Sequence, residues 1–160
     1  MERKVNKSNF NILMVCLGNI CRSPMAQGAL EFMATKKSLS IIVDSAGTEN
    51  WHLNKSPDQR AQNIAKTKGW EIHSQKARQI QSNDFNNFDL IIGMDKSNLF
   101  DIEKIRPKHS KTPVILLLDL SNLKDKNLPD PYYTNDFETV AMLIENACTN
   151  LLNKYFNKKF

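Results

Sequence analysis

The stretch Asn11-Ile12-Leu13-Met14-Val15-Cys16-Leu17-Gly18-Asn19-Ile20-Cys21-Arg22-Ser23-Pro24-Met25 changes character twice. Residues 11–15 are an unbroken apolar run of strand type. From Ser23 onward Met25, Ala29, Phe32 and Met33 recur at helical spacing, which predicts a helix over 23–35. Between the two lies a short loop with Cys16 at its start and Arg22 at its end. A loop passing from a strand to a helix N-terminus can turn its backbone N–H groups inward as an anion nest. The helix end adds partial positive charge and unpaired donors. Gly18 and Asn19 are the residue types that best tolerate the positive φ such a wrap requires. Pro24 falls in the first helical turn, where a missing N–H costs least.

The pattern repeats outward from this loop. Residues 41–46 read as a second strand. Ser56 can cap a helix with Pro57 at its first position and Asp58 in its first turn, running to about Lys68 and stopped by Gly69. Residues 90–94 are a third strand between Asp89 and Asp95. A helix over 96–105 follows, with Pro107 just past it, and residues 114–118 are a fourth strand. A polar loop, 119–135, leads to a final helix over 137–157 that carries Val140, Leu143, Ile144, Ala147, Leu151 and Leu152 on its inner face. Alternating helices and unbroken apolar strands imply an α/β, three-layer fold: a four-stranded parallel sheet with helices on both faces and a phosphate-binding loop after the first strand. In such sheets ligands sit at the carboxyl ends of the strands. A single domain over 10–160 behind a flexible tail, 1–9, is the economical division.

Composition narrows the function classes. With 160 residues, 41% hydrophobic and 24% charged, the chain is globular in type and can bury one core. No apolar run is long enough to cross a bilayer, and the polar, basic N-terminus has no apolar segment of signal type, so a cytoplasmic protein without membrane contact is expected. Three cysteines, Cys16, Cys21 and Cys148, argue against a disulfide framework. His52, His73 and His109 are too scattered to complete a zinc site, so neither metal nor cofactor is expected. The net charge of +5 suits an anionic substrate. Lys and Arg are spread along the chain, with only small clusters near its ends of the kind usually solvated, and no basic face with interleaved aromatics is read from the sequence, which disfavours nucleic acid.

The chemistry centres on Cys16. At the floor of a nest its thiolate is stabilised by the same dipoles that hold an anion, and it points at the phosphorus of a bound phosphate. Arg22 offers a planar fork to two phosphoryl oxygens. Ser23 can donate to the sulfur as it leaves in a second step. Leu17, Gly18, Asn19, Ile20 and Cys21 complete the loop. Cys21 is either a small buried residue at the helix start or a resolving thiol that captures oxidised Cys16 as a disulfide. Cys148, on an apolar stretch, reads as core. Proton donation to the leaving oxygen calls for a carboxylic acid. Asp130, in the loop at the active edge of the sheet, fits that role or a Leu-Pro-Asp-Pro turn equally well. Asp95 is the next candidate.

Residues 15–26 resemble the signature loop of the low-molecular-weight protein tyrosine phosphatases. Asp44-Ser45-Ala46-Gly47-Thr48, Trp51-His52, Ser56-Pro57-Asp58-Gln59-Arg60-Ala61, Lys76-Ala77-Arg78-Gln79-Ile80, Met94-Asp95-Lys96-Ser97-Asn98-Leu99 and Asp130-Pro131-Tyr132-Tyr133 are similar to further blocks of that family, in the same order. The resemblance implies a phosphotyrosine hydrolase working through a phosphocysteine. Cys16 would be the nucleophile, Arg22 the clamp and Asp130 the acid and base. Asn19 and Ser45 would hold the loop, and Trp51, Tyr132 and Tyr133 would wall the aromatic pocket; the alternative for each tyrosine is packing against the last helix. It also implies phosphotyrosine proteins as partners, inorganic phosphate as a product inhibitor, and a monomer or weak dimer. One position departs: many relatives place before Lys76 a histidine that bonds the loop asparagine, and here it is Gln75, which can still donate or accept. His73, two residues away, reads as an exposed loop residue. Rival readings are weaker. Arsenate reductases on this scaffold use two further cysteines, and residues 75–95 contain none. Phosphoarginine phosphatases carry threonine where this chain has Ile20. A catalytically dead phosphotyrosine-binding module would be expected to lose Cys16 or Asp130.

Overall fold

The computed structural model describes residues 9–156, so most of the expected tail over 1–9 lies outside the described residues. β1 (Phe10–Cys16) lies inside a four-stranded parallel sheet of order β2-β1-β3-β4, with β2 at Ile41–Gly47, β3 at Leu90–Gly93 and β4 at Val114–Leu116. β1 pairs along its whole length with β2, from Phe10 opposite Ile41 to Cys16 opposite Gly47. On its other side Ile12 to Val15 pair with Leu90 to Gly93, and Ile91 to Gly93 continue the sheet to Val114 to Leu116.

Alternation along β1 divides the core. Ile12, Met14 and Cys16 face one side, with α1 (Arg22–Lys36), α2 (Gln59–Thr67) and α6 (Phe137–Phe156) over them. Leu13 and Val15 face the other, with Phe85 of the short α3 (Asp84–Asn87) and Ile102 of α4 (Lys96–Lys104). A strand covered on both faces must be apolar throughout, and that is why β1 reads as an unbroken run. The sheet departs from β1 in both directions, so the carboxyl end of β1 lies at the crevice where doubly covered sheets bind ligands.

Several boundaries differ from the sequence expectation. Asp58, not Ser56, caps α2: its carboxylate accepts from the Arg60 N–H at 2.8 Å, and its own N–H is drawn off to the Ile20 carbonyl. Ser56 and Pro57 therefore precede the helix. Residues 117 and 118 leave the fourth strand for a 3₁₀ turn, Leu117–Leu120, because Asp119 Oδ2 accepts the Leu116 N–H at 2.9 Å and bends the chain. Both leucines remain buried, and their apolar character came from the turn's burial rather than from a strand. The loop over 119–135 also contains a short helix, α5 (Pro131–Thr134). On α1 the buried stripe is Met25, Ala26, Ala29, Leu30 and Ala34, with Phe32 and Met33 only half-buried at its margin. Cys148 is fully buried, and His73 is exposed.

Candidate active site

The loop after β1 closes on the Cys16 sulfur. The Asn19 N–H donates to Sγ at 3.3 Å, and Ser23 Oγ lies 3.0 Å from it. Asn19 adopts φ +56°, the left-handed turn that swings its N–H inward. Gly18 does not have a positive φ, and its lack of a side chain serves a different need. A Cβ there would sit 3.0 Å from His52 Cδ2, so glycine makes room for the imidazole. Buried Asn19 is the hub of the loop. Its Nδ2 donates to Ser23 Oγ at 2.8 Å and to Ser45 Oγ at 3.0 Å, and its Oδ1 accepts the Arg78 N–H at 3.1 Å. Ser45 in turn donates to Gln27 Oε1 at 2.8 Å. Every polar group of this buried cluster is thus engaged, as low-dielectric surroundings demand.

Gln75 does not reach Asn19. Its Nε2 donates to the Pro24 carbonyl at 3.1 Å, so it steadies the first turn of α1. The Arg78 backbone N–H fills the place at the asparagine. Arg78 is itself fixed through its side chain, which donates to Asp44 Oδ2 and to both oxygens of Asp84.

The Arg22 side chain is 3% exposed. Its Nη1 donates to Asp95 Oδ2 at 2.7 Å and to the Leu128 carbonyl at 3.0 Å, and Nη2 lies 3.4 Å from Asp130 Oδ2. Burial works against its charge. The Cys16 sulfur, the hydrogen bond to Asp95, and the charge of Asp130 outweigh that penalty and hold its pKa above the ordinary arginine value. Asp95 has both oxygens committed, since Oδ1 accepts the Asn98 N–H at 2.8 Å and caps α4. Asp130 caps α5 through the Tyr132 N–H, at 3.1 Å.

Above the sulfur is a cavity of about 240 Å³, the scale of one aromatic side chain and its substituent. The loop residues Cys16 to Gly18 and Ile20 to Arg22 form its floor, and Asp130, Trp51, His52, Tyr132 and Tyr133 form its wall. The three large aromatics stay 46–72% exposed, so neither tyrosine packs away against α6. His52 stands beside Trp51 in a family-like block of the sequence but carries no expected role there. It faces Tyr132 with ring centroids 6.5 Å apart, and a histidine beside a tryptophan in a loop carries no periodic signal to mark it. Cys21 is 3% exposed, and its pKa is raised far above the ordinary thiol value by burial first and then by Asp58, Cys16 and Asp130. The whole arrangement can receive a tetrahedral anion against Cys16, with the Asn19 N–H below and a guanidinium at the side. No helix among the described residues is long and apolar enough to cross a membrane.

Comparison with known proteins gives the same picture over almost the whole chain. Residues 11–159 match the family model of the low molecular weight phosphotyrosine protein phosphatases. The low molecular weight protein-tyrosine-phosphatase YfkJ of Bacillus subtilis is 39% identical over 145 residues, 89% of this chain and 93% of that protein. The Staphylococcus haemolyticus enzyme PtpA is 37% identical over 89% of this chain and 92% of its own length. The crystal structure of YfkJ superposes with a TM-score of 0.88, covering 93% of this chain and 96% of that one. A Drosophila arginine phosphatase structure, 32% identical, reaches 0.85 over 92% and 99%. The chain therefore belongs to the low-molecular-weight phosphotyrosine protein phosphatase family and is a phosphatase.

Proposed function

We propose that the chain hydrolyses phosphotyrosine, and small aryl phosphates, in two displacements at phosphorus. The Cys16 thiolate attacks the phosphorus, the phosphorus–oxygen bond to the tyrosyl group breaks, and Asp130 gives its proton to the departing oxygen. Arg22 turns its fork from Asp95 and Asp130 toward two phosphoryl oxygens. Asp130, now a carboxylate, takes a proton from water. That water displaces sulfur from phosphorus, releasing inorganic phosphate, and the Ser23 hydroxyl donates to the departing sulfur. The observation that carries this reading is the Cys16 sulfur itself, held 3.3 Å from the Asn19 N–H and 3.0 Å from Ser23 Oγ at the floor of an aromatic-walled cavity with Asp130 on its rim. The aromatic wall of the cavity favours an aryl ester, and Ile20 on its floor offers no polar side-chain partner to a guanidinium.

Cys21 is the resolving thiol of this reading. Its sulfur displaces hydroxide from a sulfenic acid at Cys16, the Cys21 proton leaves with that oxygen as water, and a disulfide forms. One chain working alone suffices for all these steps. Turnover of matched peptides carrying phosphotyrosine, phosphoserine or phosphoarginine tests the substrate class. Release of phosphate from the first alone is expected, and preference for phosphoarginine would overturn the assignment. Acid-quenched mass spectra of Cys16 during turnover should carry one phosphoryl group.

A further inference from the structure

α5 holds Asp130 at its N-cap but is only four residues long. A helix that short has almost no stability of its own, so its surroundings must fix where the Asp130 carboxyl points. One restraint lies before it. Leu128 is buried, its N–H donates to the Met94 carbonyl at 2.9 Å, and its carbonyl accepts from Arg22. The other lies behind it and comes from a distant segment. α5 ends at Asn135, in the left-handed conformation with φ +60°, and Arg60 Nη1 donates to Asn135 Oδ1 at 3.0 Å. The same guanidinium lies over the rings of Tyr132 and Phe137, 5.7 and 4.8 Å from their centroids. Its other edge grips Asp58, with Nε to Oδ1 at 3.0 Å and Nη2 to Oδ2 at 2.9 Å. The Asp58 N–H donates to the Ile20 carbonyl at 2.8 Å, inside the loop that carries Cys16.

We infer that Arg60 is a positioning residue for the proton transfer: it struts α5 against the nucleophile loop and thereby sets the Asp130 carboxyl over the leaving oxygen. The inference rests on the reading of Asp130 as the proton donor. A guanidinium suits the task because one rigid plane can fork onto a carboxylate, stack on an aromatic ring and still reach an amide oxygen. Arg60 touches neither the Cys16 sulfur nor the phosphate nest, so its loss should be felt where the proton is needed and not elsewhere.

The test uses the full chain and single-turnover rates on phenyl, para-nitrophenyl and dinitrophenyl phosphate. Arg60→Met keeps an apolar stem against Tyr132 and removes the fork. Asn135→Gly keeps the left-handed turn and removes only the acceptor. Each should slow phenyl phosphate about tenfold, the scale expected when a reacting group is misplaced by a fraction of an ångström. Each should leave dinitrophenyl phosphate, whose phenol departs unprotonated, within about twofold of the parent. The double variant should be no slower than the worse single one, because both cut the same strut. Asp130→Asn, run alongside, should show the same dependence on phenol acidity with larger amplitude. A penalty on Arg60→Met that is equal across the three esters, or absent, overturns the inference. If Asp130→Asn depends on the leaving group and Arg60→Met does not, the strut fails and the acid assignment stands; if both are flat, the two fall together. Should Arg60→Met not fold, Asn135→Gly decides by the same criterion.

Discussion

Replacing Gly47 with alanine should injure both the fold and the chemistry. Gly47 ends β2 directly opposite Cys16. A Cβ there would lie 2.8 Å from the Leu17 carbonyl oxygen, 3.0 Å from that of Glu49 and 3.2 Å from the Asn19 nitrogen. All three are backbone atoms, so no rotamer change relieves the contact. The loop must move, and it is pinned by the Glu49 N–H to Leu17 carbonyl bond at 3.0 Å and by the three bonds of the Asn19 side chain. Overpacking of this kind costs about 1–3 kcal/mol. Stiffening the unfolded chain returns roughly 0.5–1 kcal/mol. The net loss is roughly 0–2.5 kcal/mol with a midpoint of about 1 kcal/mol, and that midpoint lowers Tm by roughly 2–4 °C for a chain of this size. The displaced atoms belong to the nest, so kcat/KM should fall about tenfold and the inhibition constant of inorganic phosphate should rise. Gly28→Ala is the control. Its Cβ would meet Ile72 Cγ2 at 2.5 Å, away from the cavity, so it should lower Tm while sparing kcat/KM and phosphate inhibition. Calorimetry and steady-state kinetics on the two variants supply the comparison. Parent-like kinetics in Gly47→Ala, with only its Tm reduced, would show that the close approach does not shape the nest.

Cys16→Ser should abolish turnover yet keep inorganic phosphate binding within a few-fold by isothermal titration, because the donors of the nest remain; residual turnover above about 1% of the parent would count against a cysteine nucleophile. Arg22→Lys should lower kcat/KM by at least about a hundredfold, since an ammonium cannot reproduce the fork; steady-state kinetics on an aryl phosphate would reveal a milder loss. Mild peroxide should inactivate the parent reversibly with dithiothreitol, whereas Cys21→Ser should lose activity irreversibly; equal recovery in the two would reduce Cys21 to packing. Alkaline stability should reflect the buried thiols. Burial first and then Glu145 push the Cys148 thiol up to about 12, and Cys21 is raised as well. Their unfolded values are about 8.5, so the stabilisation they give is complete below that pH and is lost as pH climbs toward 12. Urea melts between about pH 8 and 10.5 should show this decline, and Cys148→Ala should flatten its slope.

The Cys16 loop was legible in the sequence because its signals are local. An apolar strand, Asn19 at a left-handed turn and a helix start all fall within residues 11–25. The partners of that loop were less visible because the fold brings them from afar. Nothing near Asp95 in sequence says that its carboxylate will meet Arg22, 73 residues away. Likewise the shift of loop support from Gln75 to the Arg78 backbone depends on the Gly47 to Gln79 bridge, a non-local pairing. The misjudged cap at Ser56 has a similar cause, since Asp58 is drawn into the Ncap role by the Ile20 carbonyl. The shortened fourth strand shows the limit of periodicity alone: a buried apolar run at Leu117 and Leu118 looks the same in a strand and in a tight turn.

The loop around Cys16 is synthesised before every distant partner it uses. Ser45 comes with β2, the Arg78 N–H after α2, Asp95 after β3, and the Leu128 carbonyl 106 residues after Arg22. α6, which covers α1 from behind, comes after all of these. A nascent polypeptide would therefore carry Cys16 while Arg22 still lacked its carboxylate and its carbonyl. On the ribosome the first-made element of the site is the last to be completed, because its partners emerge one after another between Ser45 and Leu128.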